Sequence, residues 1–325
     1  MKRRLISALL ATVFAVGVMP VTSNSSQAEE EVNVAAGIAL TWAPLYVADQ
    51  QGLFEKYGVD AKVLLFPSGR TAQEAIVGGG VAWGTVAETP VVFASMNNLP
   101  VRIIGVMSTY EIFDLVATEE MQKLEDLKGK RVGYAQGTNA QVYLSRALKK
   151  AGLTFDDITG INLSPTDMVT SLANAQIDAF IWTEPHISQA LGIGDGSFHT
   201  IRTPGLYVTY SGIVALQSTI DNNPEMLVNS LCAMKEATEY MKNNKDASIT
   251  YLSERIKMDH AIVAKEWDRV PFEITLDKEN IVKDMQQQAQ WAIESGLLAA
   301  GVKLPDFDQV VVDTIFDEAK NCLDQ

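Results

Sequence analysis

VAWGTVAETP at residues 81–90 is echoed by IDAFIWTEP at residues 177–185. Each stretch is an apolar strand candidate that runs into a glutamate and a proline, and proline is favoured in the first turn of a helix. The two strand starts lie 96 residues apart. Because any strand followed by a proline-started helix gives this pattern, the echo alone decides nothing. Together with the alternation around it, the echo favours two lobes of similar build that face each other.

Strand and helix candidates alternate around both stretches. Such alternation is typical of parallel strands joined by crossover helices. The strand candidates are 32–38, 60–66, 81–86, 101–107, 131–135, 158–163 and 177–182. The helix candidates between them are 43–51, 71–77, 90–97, 139–151 and 167–175. The sequence therefore predicts an α/β fold with two doubly wound units.

Two further extended stretches, 112–118 and 207–216, can carry the chain from one unit to the other. From Pro224 onward the apolar periodicity is nearly all helical, and it predicts a last helix over 308–323.

The chain begins as a secretory leader does. Lys2, Arg3 and Arg4 precede an apolar run over 5–18 and a small-residue exit that ends at Ala28, which is the layout of a cleavable signal peptide. The run is too short for a comfortable membrane span, although an uncleaved anchor is the alternative. We expect a signal peptide over residues 1–28, cleavage near Ala28 and a periplasmic mature chain.

The mature chain is strongly acidic. Removal of the three leader cations moves the formal net charge from −14 to −17, and such a surface repels nucleic acid and anionic membranes. About 300 residues exceed the usual size of a single domain, so two lobes are expected.

Residues that could carry catalysis are scarce. The three histidines are isolated, and His186 at a helix start is interpreted as a surface or rim residue. The sequence has no Gly-x-Ser-x-Gly elbow, His-Glu-x-x-His motif, phosphate loop or Cys-x-x-Cys pair. We therefore predict no catalytic residue, metal site or cofactor. Cys232 and Cys322, both in predicted helices, form a disulfide or remain two buried thiols.

Three loops have the composition of a ligand-binding site. Open α/β sheets bind ligands at the carboxyl ends of their strands, where helix N-termini offer unpaired N–H groups and a partial positive charge. Each of the three loops follows a strand candidate and precedes a helix candidate. Their candidate residues are Ser68, Gly69, Arg70, Glu88, Thr89, Gly137, Thr138 and Asn139.

Each residue type has a chemical reason and a structural alternative. Ser68 is a helix cap or a ligand contact, and Arg70 is a planar donor for an anion or a solvated charge. Glu88 can receive an amino or amidine group or simply face the helix dipole. Trp42 and Trp182 can lie against a bound molecule or pack in the core.

Five stretches together resemble a known family. They are APLYVA at 43–48, GLFEKYGVD at 52–60, LKGKRVG at 127–133, GT at 137–138 and IDAFIWTEP at 177–185. Their order and spacing are similar to those of the periplasmic binding proteins for aliphatic sulfonates, taurine, nitrate and thiamine pyrimidine precursors. The similarity runs from about residue 32 to 300 and is more specific for the family than for any one ligand.

The resemblance implies a type II periplasmic-binding fold with two crossovers as the hinge. Lobe one would comprise residues 31–113 and 212–325, including the C-terminal helices, and lobe two residues 114–211. The implied role is a monomeric solute-binding component that hands its ligand to the membrane permease of an ABC transporter. The residues expected to face the cleft are Thr41, Trp42, Ser68, Gly69, Arg70, Glu88, Thr89, Gly137, Thr138, Asn139, Trp182 and Glu184.

The ligand class is open between two sets of residues. Arg70 and the helix termini favour a small organic anion such as a sulfonate or carboxylate, which we rank first together with a zwitterion. Glu88, Glu184 and the tryptophans favour an aminated or pyrimidine-like molecule. Two other classes of protein are alternatives. One is an enzyme like the fungal thiamine-pyrimidine synthase, which has this fold and a cysteine-rich iron site, and the other is a sensor module that presents its ligand to a receptor.

Overall fold

The computed structural model describes residues 31–193, 195–297 and 302–323, and the predicted signal peptide lies outside them. Within these ranges ten strands form two five-stranded sheets. The strands are β1 (Val32–Gly37), β2 (Ala61–Phe66), β3 (Trp83–Ala87), β4 (Val101–Tyr110), β5 (Asp114–Thr118), β6 (Arg131–Tyr134), β7 (Thr159–Asn162), β8 (Ala179–Trp182), β9 (Phe198–Ile201) and β10 (Thr209–Leu216).

The helices cover both sheets and fill the C-terminal part of the chain. They are α1 (Ala43–Gln50), α2 (Leu53–Lys56), α3 (Gly69–Val77), α4 (Glu88–Met96), α5 (Asn139–Lys150), α6 (Pro165–Ala173), α7 (His186–Ile193), α8 (Gln217–Asn222), α9 (Pro224–Asn243), α10 (Lys245–Arg255), α11 (His260–Trp267), α12 (Lys278–Glu294), α13 (Thr314–Glu318) and α14 (Lys320–Leu323). Among the described helices, none combines the length and the apolar composition that crossing a bilayer requires.

The two sheets share one plan. The first has the strand order β2-β1-β3-β10-β4 and the second the order β7-β6-β8-β5-β9. The first three strands of each order run parallel, as the alternation of strands and helices predicts. The fourth strand, β10 or β5, runs antiparallel to both of its neighbours. The predicted α/β class is confirmed, and the expectation of parallel strands is corrected because each sheet is mixed.

The antiparallel strands are the ones that change sheet. β5 follows β4 along the chain but pairs with β8 and β9, and β10 follows β9 but pairs with β3 and β4. The stretch 207–216, expected to carry a crossover, contains a strand that starts only at Thr209 and already belongs to the first sheet. The chain therefore passes between the sheets in two short segments, 111–113 and 202–208.

Strand β1 shows why the first sheet needs helices on both faces. Val34 and Ala36 belong to a core with residues of α1 and α9, whereas Ala35 belongs to a core with residues of α3, α4 and α12. Successive side chains of a strand point to opposite faces. A strand buried on both faces therefore reads as a continuous apolar run. The second sheet has its own core, in which Val116 and Phe180 pack with residues of α5 and α6.

The C-terminal segment does not form the long last helix that its apolar pattern predicts. The predicted helix over 308–323 is wrong, since the chain forms only the short helices α13 and α14 there. Phe307, Val310 and Val311 have helical spacing, but Val311 pairs with Ile103 of β4 in an isolated bridge. Pairing with the edge of β4 therefore prevents a continuous helix over this segment.

Cys232 of α9 and Cys322 of α14 are joined in a disulfide with their Cα atoms 5.6 Å apart.

Helix α12 contacts both halves of the molecule. Its residues Met285 and Ala289 are buried in the core of the first sheet, whereas Trp291 packs against the core of the second. This helix therefore connects the two sheets independently of the two chain crossings.

A candidate binding cleft between the two sheets

Loops from the carboxyl ends of parallel strands in both sheets surround one small cavity, as expected for open α/β sheets. The cavity has a volume of about 60 Å³ and is called the small compartment here. Loops and strands of the first sheet contribute Ala39, Thr41, Trp42, Ser68, Gly69, Arg70, Ala87, Pro90, Thr209 and Ser211. The crossing segment and the second sheet contribute Ile112, Phe113, Thr138, Asn139, Trp182 and Thr183. A water needs at least ~10–15 Å³ of such volume, so the small compartment is large enough for a compact polar group.

Eight of the predicted cleft residues lie in this lining, which places them together without showing what they bind. They are Thr41, Trp42, Ser68, Gly69, Arg70, Thr138, Asn139 and Trp182. Glu88, Thr89, Gly137 and Glu184 lie outside it.

Two threonines that line the small compartment have buried hydroxyl groups with no hydrogen-bond partner among the described residues. Thr41 is 3% exposed and Thr209 is 2% exposed, and among the described residues neither Oγ1 atom makes a hydrogen bond. Leaving a buried polar group unsatisfied costs about 1–3 kcal/mol. The neighbouring Ser211 differs, because its Oγ accepts a hydrogen bond from Ser108 Oγ at 2.9 Å. The hydroxyls of the two threonines are therefore candidates for hydrogen bonds to a ligand in this cavity.

Two helix N-termini face the same cavity. The Ser68 hydroxyl caps α3 by accepting from Thr71 N at 3.3 Å, and the Thr138 hydroxyl caps α5 by accepting from Ala140 N at 3.3 Å. Of the two alternatives given for Ser68, the helix cap is confirmed, and Thr138 caps α5 in the same way. Each helix start brings free N–H groups and partial positive charge to the compartment.

Arg70 and Gly137 meet across the mouth of the cleft. The Arg70 guanidinium donates through Nη1 to the carbonyl of Gln136 and through Nε to Glu74 at 3.1 Å. Gly137 has φ +72°, and a Cβ there would lie 3.1 Å from Arg70 Nη1. Glycine therefore serves both the left-handed turn and the close approach of the guanidinium. In this arrangement Arg70 bridges the two sheets.

Glu88 lies beside the small compartment in a buried network that we call the Glu88 cluster. Its carboxylate is fully buried, and Oε1 accepts from the Tyr207 hydroxyl, from Asn139 Nδ2 at 2.8 Å and from Gln288 Nε2 at 3.0 Å. Oε2 accepts from Tyr210 N at 3.0 Å. The cluster comprises Glu88, Thr89, Asn139, Tyr207 and Gln288, and it joins helices α4 and α12 to α5 of the second sheet.

Burial is the main electrostatic influence on this carboxyl. Desolvation and the nearby Asp284 raise the pKa of Glu88 to about 7, against the opposing effect of hydrogen bonds from Tyr207 and Gln288. Thr89 does not cap α4, because its hydroxyl donates to Gln288 Oε1 and the helix begins at Glu88. The protein itself thus satisfies both side chains of the second predicted loop.

A second cavity of about 170 Å³ adjoins the first, and we call it the large compartment. Ala39, Thr41, Ile112, Phe113 and Thr183 line both. Glu184 lies here, where its carboxylate accepts from Ser188 N at 3.0 Å and Ser188 Oγ at 2.8 Å.

His186, interpreted above as a rim residue, is buried at the start of α7. Desolvation lowers its pKa to about 4, so the imidazole is neutral at pH 7. The structure places it outside both compartments.

Sequence reasoning missed several residues of the cleft. Thr209 and Ser211 lie on β10, and Tyr207 and Gln288 complete the Glu88 cluster. No local motif identifies them, because they reach the cleft only after β10 has changed sheet and α12 has folded back.

Comparisons with known proteins identify a family and several relatives of this chain. The family model described as "NMT1/THI5 like" matches residues 40–248. A putative binding protein of Brucella abortus is 27% identical over 229 residues, which are 68% of this chain and 69% of the relative. A putative aliphatic sulfonates-binding protein of Escherichia coli is 24% identical over 93% of this chain and 95% of its own length.

Relatives of this chain include an enzyme. The 4-amino-5-hydroxymethyl-2-methylpyrimidine phosphate synthase of Aspergillus parasiticus is 25% identical over 79% of this chain and 80% of the enzyme.

Among solved structures, the alkanesulfonate-binding protein SsuA from Xanthomonas axonopodis pv. citri, bound to MOPS, superposes with a TM-score of 0.77 at 22% identity. The alignment covers 88% of this chain and 100% of that structure, which confirms the predicted periplasmic-binding fold.

Proposed function

The chain belongs to the NMT1/THI5-like family, and on that premise we propose that it is the extracytoplasmic solute-binding component of an ABC importer. In this proposal a monomer takes a small organic anion or zwitterion of the sulfonate type into the cleft and delivers it to a membrane permease in the periplasm. The observation that carries the proposal is the pair of buried, unpaired hydroxyls of Thr41 and Thr209 in the small compartment.

The surroundings of these hydroxyls favour an oxyanion. Two helix N-termini supply N–H groups and partial positive charge, and Arg70 is the charged residue of the lining. A sulfonate has three acceptor oxygens, which can accept from two hydroxyls and a backbone N–H together. A carboxylate can accept as many hydrogen bonds, but its two oxygens lie in one plane, whereas the three oxygens of the tetrahedral sulfonate point in three directions.

Closure of two lobes would couple binding to transport. We propose the two lobes that the resemblance implies, residues 31–113 with 212–325 and residues 114–211, with one change: residues 209–211 go to lobe one, because β10 starts at Thr209 in the first sheet. The segments 111–113 and 202–208 then form the hinge. A ligand favours the closed form only through contacts that the open form lacks. A shift from 1:99 to 99:1 takes ~5.5 kcal/mol, and two to four charge-assisted hydrogen bonds at ~1.5–3 kcal/mol each are sufficient.

A binding role explains this cleft better than catalysis does. Hydroxyls, amides and aromatic rings predominate in the small compartment, and no acid–base pair faces it from the described residues. The enzyme alternative rests on the Aspergillus relative and on an iron site of cysteines. Both cysteines of this chain lie instead in the disulfide between α9 and α14, outside the cleft.

A heteroaromatic solute is the second candidate, and one observation favours it. Trp42 and Trp182 both line the small compartment, and aromatic side chains stack on flat rings. Such a ligand would leave the two threonine hydroxyls with fewer acceptors than a sulfonate offers.

Thermal unfolding of the mature protein, refolded to remove bound solute, tests the proposal against sulfonates, carboxylates, nitrate, amines and pyrimidines. A ligand at 100 times its Kd adds ~2.7 kcal/mol to the free energy of unfolding. We expect sulfonates to raise the midpoint, and Thr209→Val to lose most of that rise. Thr170→Val, on the exposed side of α6, is the matched control and should keep it.

The outcomes separate the candidates. A midpoint raised by pyrimidines alone would replace the oxyanion with the second candidate. No rise with any compound would overturn the binding proposal.

A further inference from the structure

Polar contacts between the two sheets gather on one side of the cleft. Arg146 of α5 lies 3.1 Å from Asp284 of α12, and its Cζ atom lies 4.7 Å from the centroid of the Tyr207 ring. In the Glu88 cluster, Asn139 of α5 donates to Glu88 of α4 at 2.8 Å. We call this side, where α4 and α12 of the first sheet face α5 of the second, the α12 flank.

The contacts of the α12 flank are buried and are made by the protein alone. Glu88, Asn139 and Tyr207 are at most 3% exposed, and the side chain of Asp284 is 17% exposed. Trp291 of α12 also packs against the core of the second sheet. Separation of the sheets on this flank would deprive several buried groups of their partners at once, at about 1–3 kcal/mol for each.

The large compartment lies on the other side of the first sheet. Trp267 of α11 belongs to the core that contains residues of α1 and α9, whereas Met285 of α12 belongs to the core on the opposite face. Glu266 and Arg269 line the large compartment from the first sheet, and Glu184 lines it from the second. We call this side the α11 flank.

Across the α11 flank, each half of the molecule satisfies its own charged groups. Arg269 pairs with Glu266 at 2.7 Å, and Glu184 accepts from Ser188. Arg269 attracts Asp114 of β5 across the compartment but forms no ion pair with it. Within the described ranges, no hydrogen bond or ion pair joins α11 or Arg269 to the second sheet. Separation on this flank therefore leaves these pairs intact.

The mouth of the cleft is joined more weakly than the α12 flank. Here Arg70 donates to the Gln136 carbonyl. The Arg70 side chain is 45% exposed, and exposed charged contacts contribute only about 0–1 kcal/mol. Because regions with few buried contacts open at the lowest free energy, the sheets should separate at the mouth and at the α11 flank first.

We propose that the α12 flank stays closed while the lobes open, so that the cleft opens at the α11 flank and the solute passes through the large compartment to Thr41. Thr41 lines both compartments and therefore lies where this route reaches the small one. Asn139, Arg146 and Asp284 are then positioning residues that hold the fixed side of the motion. This inference deepens the proposed function and rests on it, because it assumes a solute that enters the cleft.

Pulsed electron–electron double resonance on two pairs of nitroxide labels tests the inference. Both native cysteines are in the disulfide, so labels attach to introduced cysteines at exposed helical positions. Lys150→Cys on α5 with Gln287→Cys on α12 reports on the α12 flank. Gln189→Cys on α7 with Lys265→Cys on α11 reports on the α11 flank.

The two pairs should behave differently. Without solute, we expect the α11-flank pair to show a component that is longer by more than about 2 Å, and the α12-flank pair to show one narrow distance. Saturating ethanesulfonate should remove the long component of the first pair and leave the second pair unchanged.

Arg146→Ala identifies the contacts that hold the α12 flank. It removes the ion pair with Asp284 and the ring contact with Tyr207, so the α12-flank pair should gain a long component. Lys278→Ala is the matched control, because it breaks an ion pair of similar length at the other end of α12, 3.2 Å from Asp313, within lobe one. The control should leave the α12-flank distance narrow.

The outcomes separate this inference from the proposed function. A long component in the α12-flank pair of the wild-type background, or none in the α11-flank pair, would overturn one-sided opening and leave the proposed function standing. An α12-flank pair that stays narrow in both Arg146→Ala and Asn139→Ala would also overturn it. A long α11-flank component that ethanesulfonate does not remove would instead count against the proposed function.

Discussion

The Glu88 cluster and the small compartment are two buried polar regions of the same cleft. They differ in whether other residues of the protein supply hydrogen-bond partners for their polar groups. Every hydrogen-bond partner of Glu88 comes from the protein, through Tyr207, Asn139, Gln288 and the Tyr210 N–H. Thr41 and Thr209 are almost as deeply buried but have no partner among the described residues. A satisfied polar group stabilises the protein, whereas an unsatisfied one is available to a ligand.

The same difference separates stability from affinity. The Glu88 cluster joins elements of both sheets, so its loss should weaken the folded protein. The two hydroxyls make no hydrogen bond among the described residues, so their loss should weaken binding without lowering stability. Four experiments test or refine this contrast.

The largest effect is expected from Glu88→Ala. Removal of the carboxylate takes one acceptor from Tyr207, Asn139 and Gln288, although Asn139 still donates to the Tyr207 hydroxyl at 2.7 Å and Gln288 to Asp284 at 2.6 Å. Buried donors that lose an acceptor cost about 1–3 kcal/mol each of unfolding free energy. Chemical denaturation without ligand measures this cost, and a loss below about 1 kcal/mol would show that the cluster is not structural.

Next in size is the pH dependence that Glu88 gives to stability. The folded protein raises the pKa of this carboxyl from 4.5 to about 7, so it binds the proton more tightly than the unfolded chain. The contribution is fully present below pH 4.5 and is lost as the pH rises to about 7, a change of about 3 kcal/mol. His186 acts in the opposite direction, because burial lowers its pKa from 6.5 to about 4. The difference between wild type and Glu88→Gln isolates the carboxyl, and a difference independent of pH would contradict this assignment.

A smaller effect, confined to binding, is expected from Thr209→Val. Loss of one ligand hydrogen bond should weaken affinity about tenfold, or about 1.4 kcal/mol. Stability without ligand should not fall, and it should rise by up to about 1–3 kcal/mol, because the change removes a buried hydroxyl that is unsatisfied among the described residues. Calorimetry and denaturation on the same variant measure both quantities. A variant that loses stability but keeps its affinity would contradict this account, because the Thr209 hydroxyl would then serve the fold and not the ligand.

Arg70→Ala should have the smallest effect on stability. The guanidinium is partly exposed and bonds Glu74 and the Gln136 carbonyl, and exposed pairs contribute about 0–1 kcal/mol. Its bridge between the sheets exists only when they are close, so the variant should release ligand several-fold faster, by about 1 kcal/mol or less. Stopped-flow dissociation measures this rate. An unchanged rate would show that the bridge plays no part in closure.

Much of the fold was predictable because apolar runs and helix starts are local signals. The alternation up to Trp182 predicts β1 to β3 and β6 to β8, and the caps Ser68 and Thr138 are recognisable from residue type. That β5 and β10 each join the other sheet from the preceding strand was not predictable in detail, because the pairing of a strand depends on residues distant in sequence. Val311 pairs with β4 for the same kind of reason, against its helical spacing.

The residues of the candidate site likewise fall into those that local sequence predicts and those that it does not. Residues in strand-to-helix loops, such as Trp42 and Arg70, were predicted and line the small compartment. Thr209 was not, because nothing in its neighbourhood along the chain distinguishes a cleft-facing hydroxyl from an ordinary strand threonine. Glu88 was selected for its charge and position, but whether it meets a ligand or Tyr207 depends on a segment 119 residues further along the chain.

A crystal structure of the mature protein with an alkanesulfonate tests the central claim most directly. The account predicts sulfonate oxygens within hydrogen-bonding distance of both Thr41 Oγ1 and Thr209 Oγ1, with the Glu88 carboxylate still bonded to Tyr207. A sulfonate bound elsewhere, or one that contacts Glu88 while the two hydroxyls stay unpaired, would contradict it.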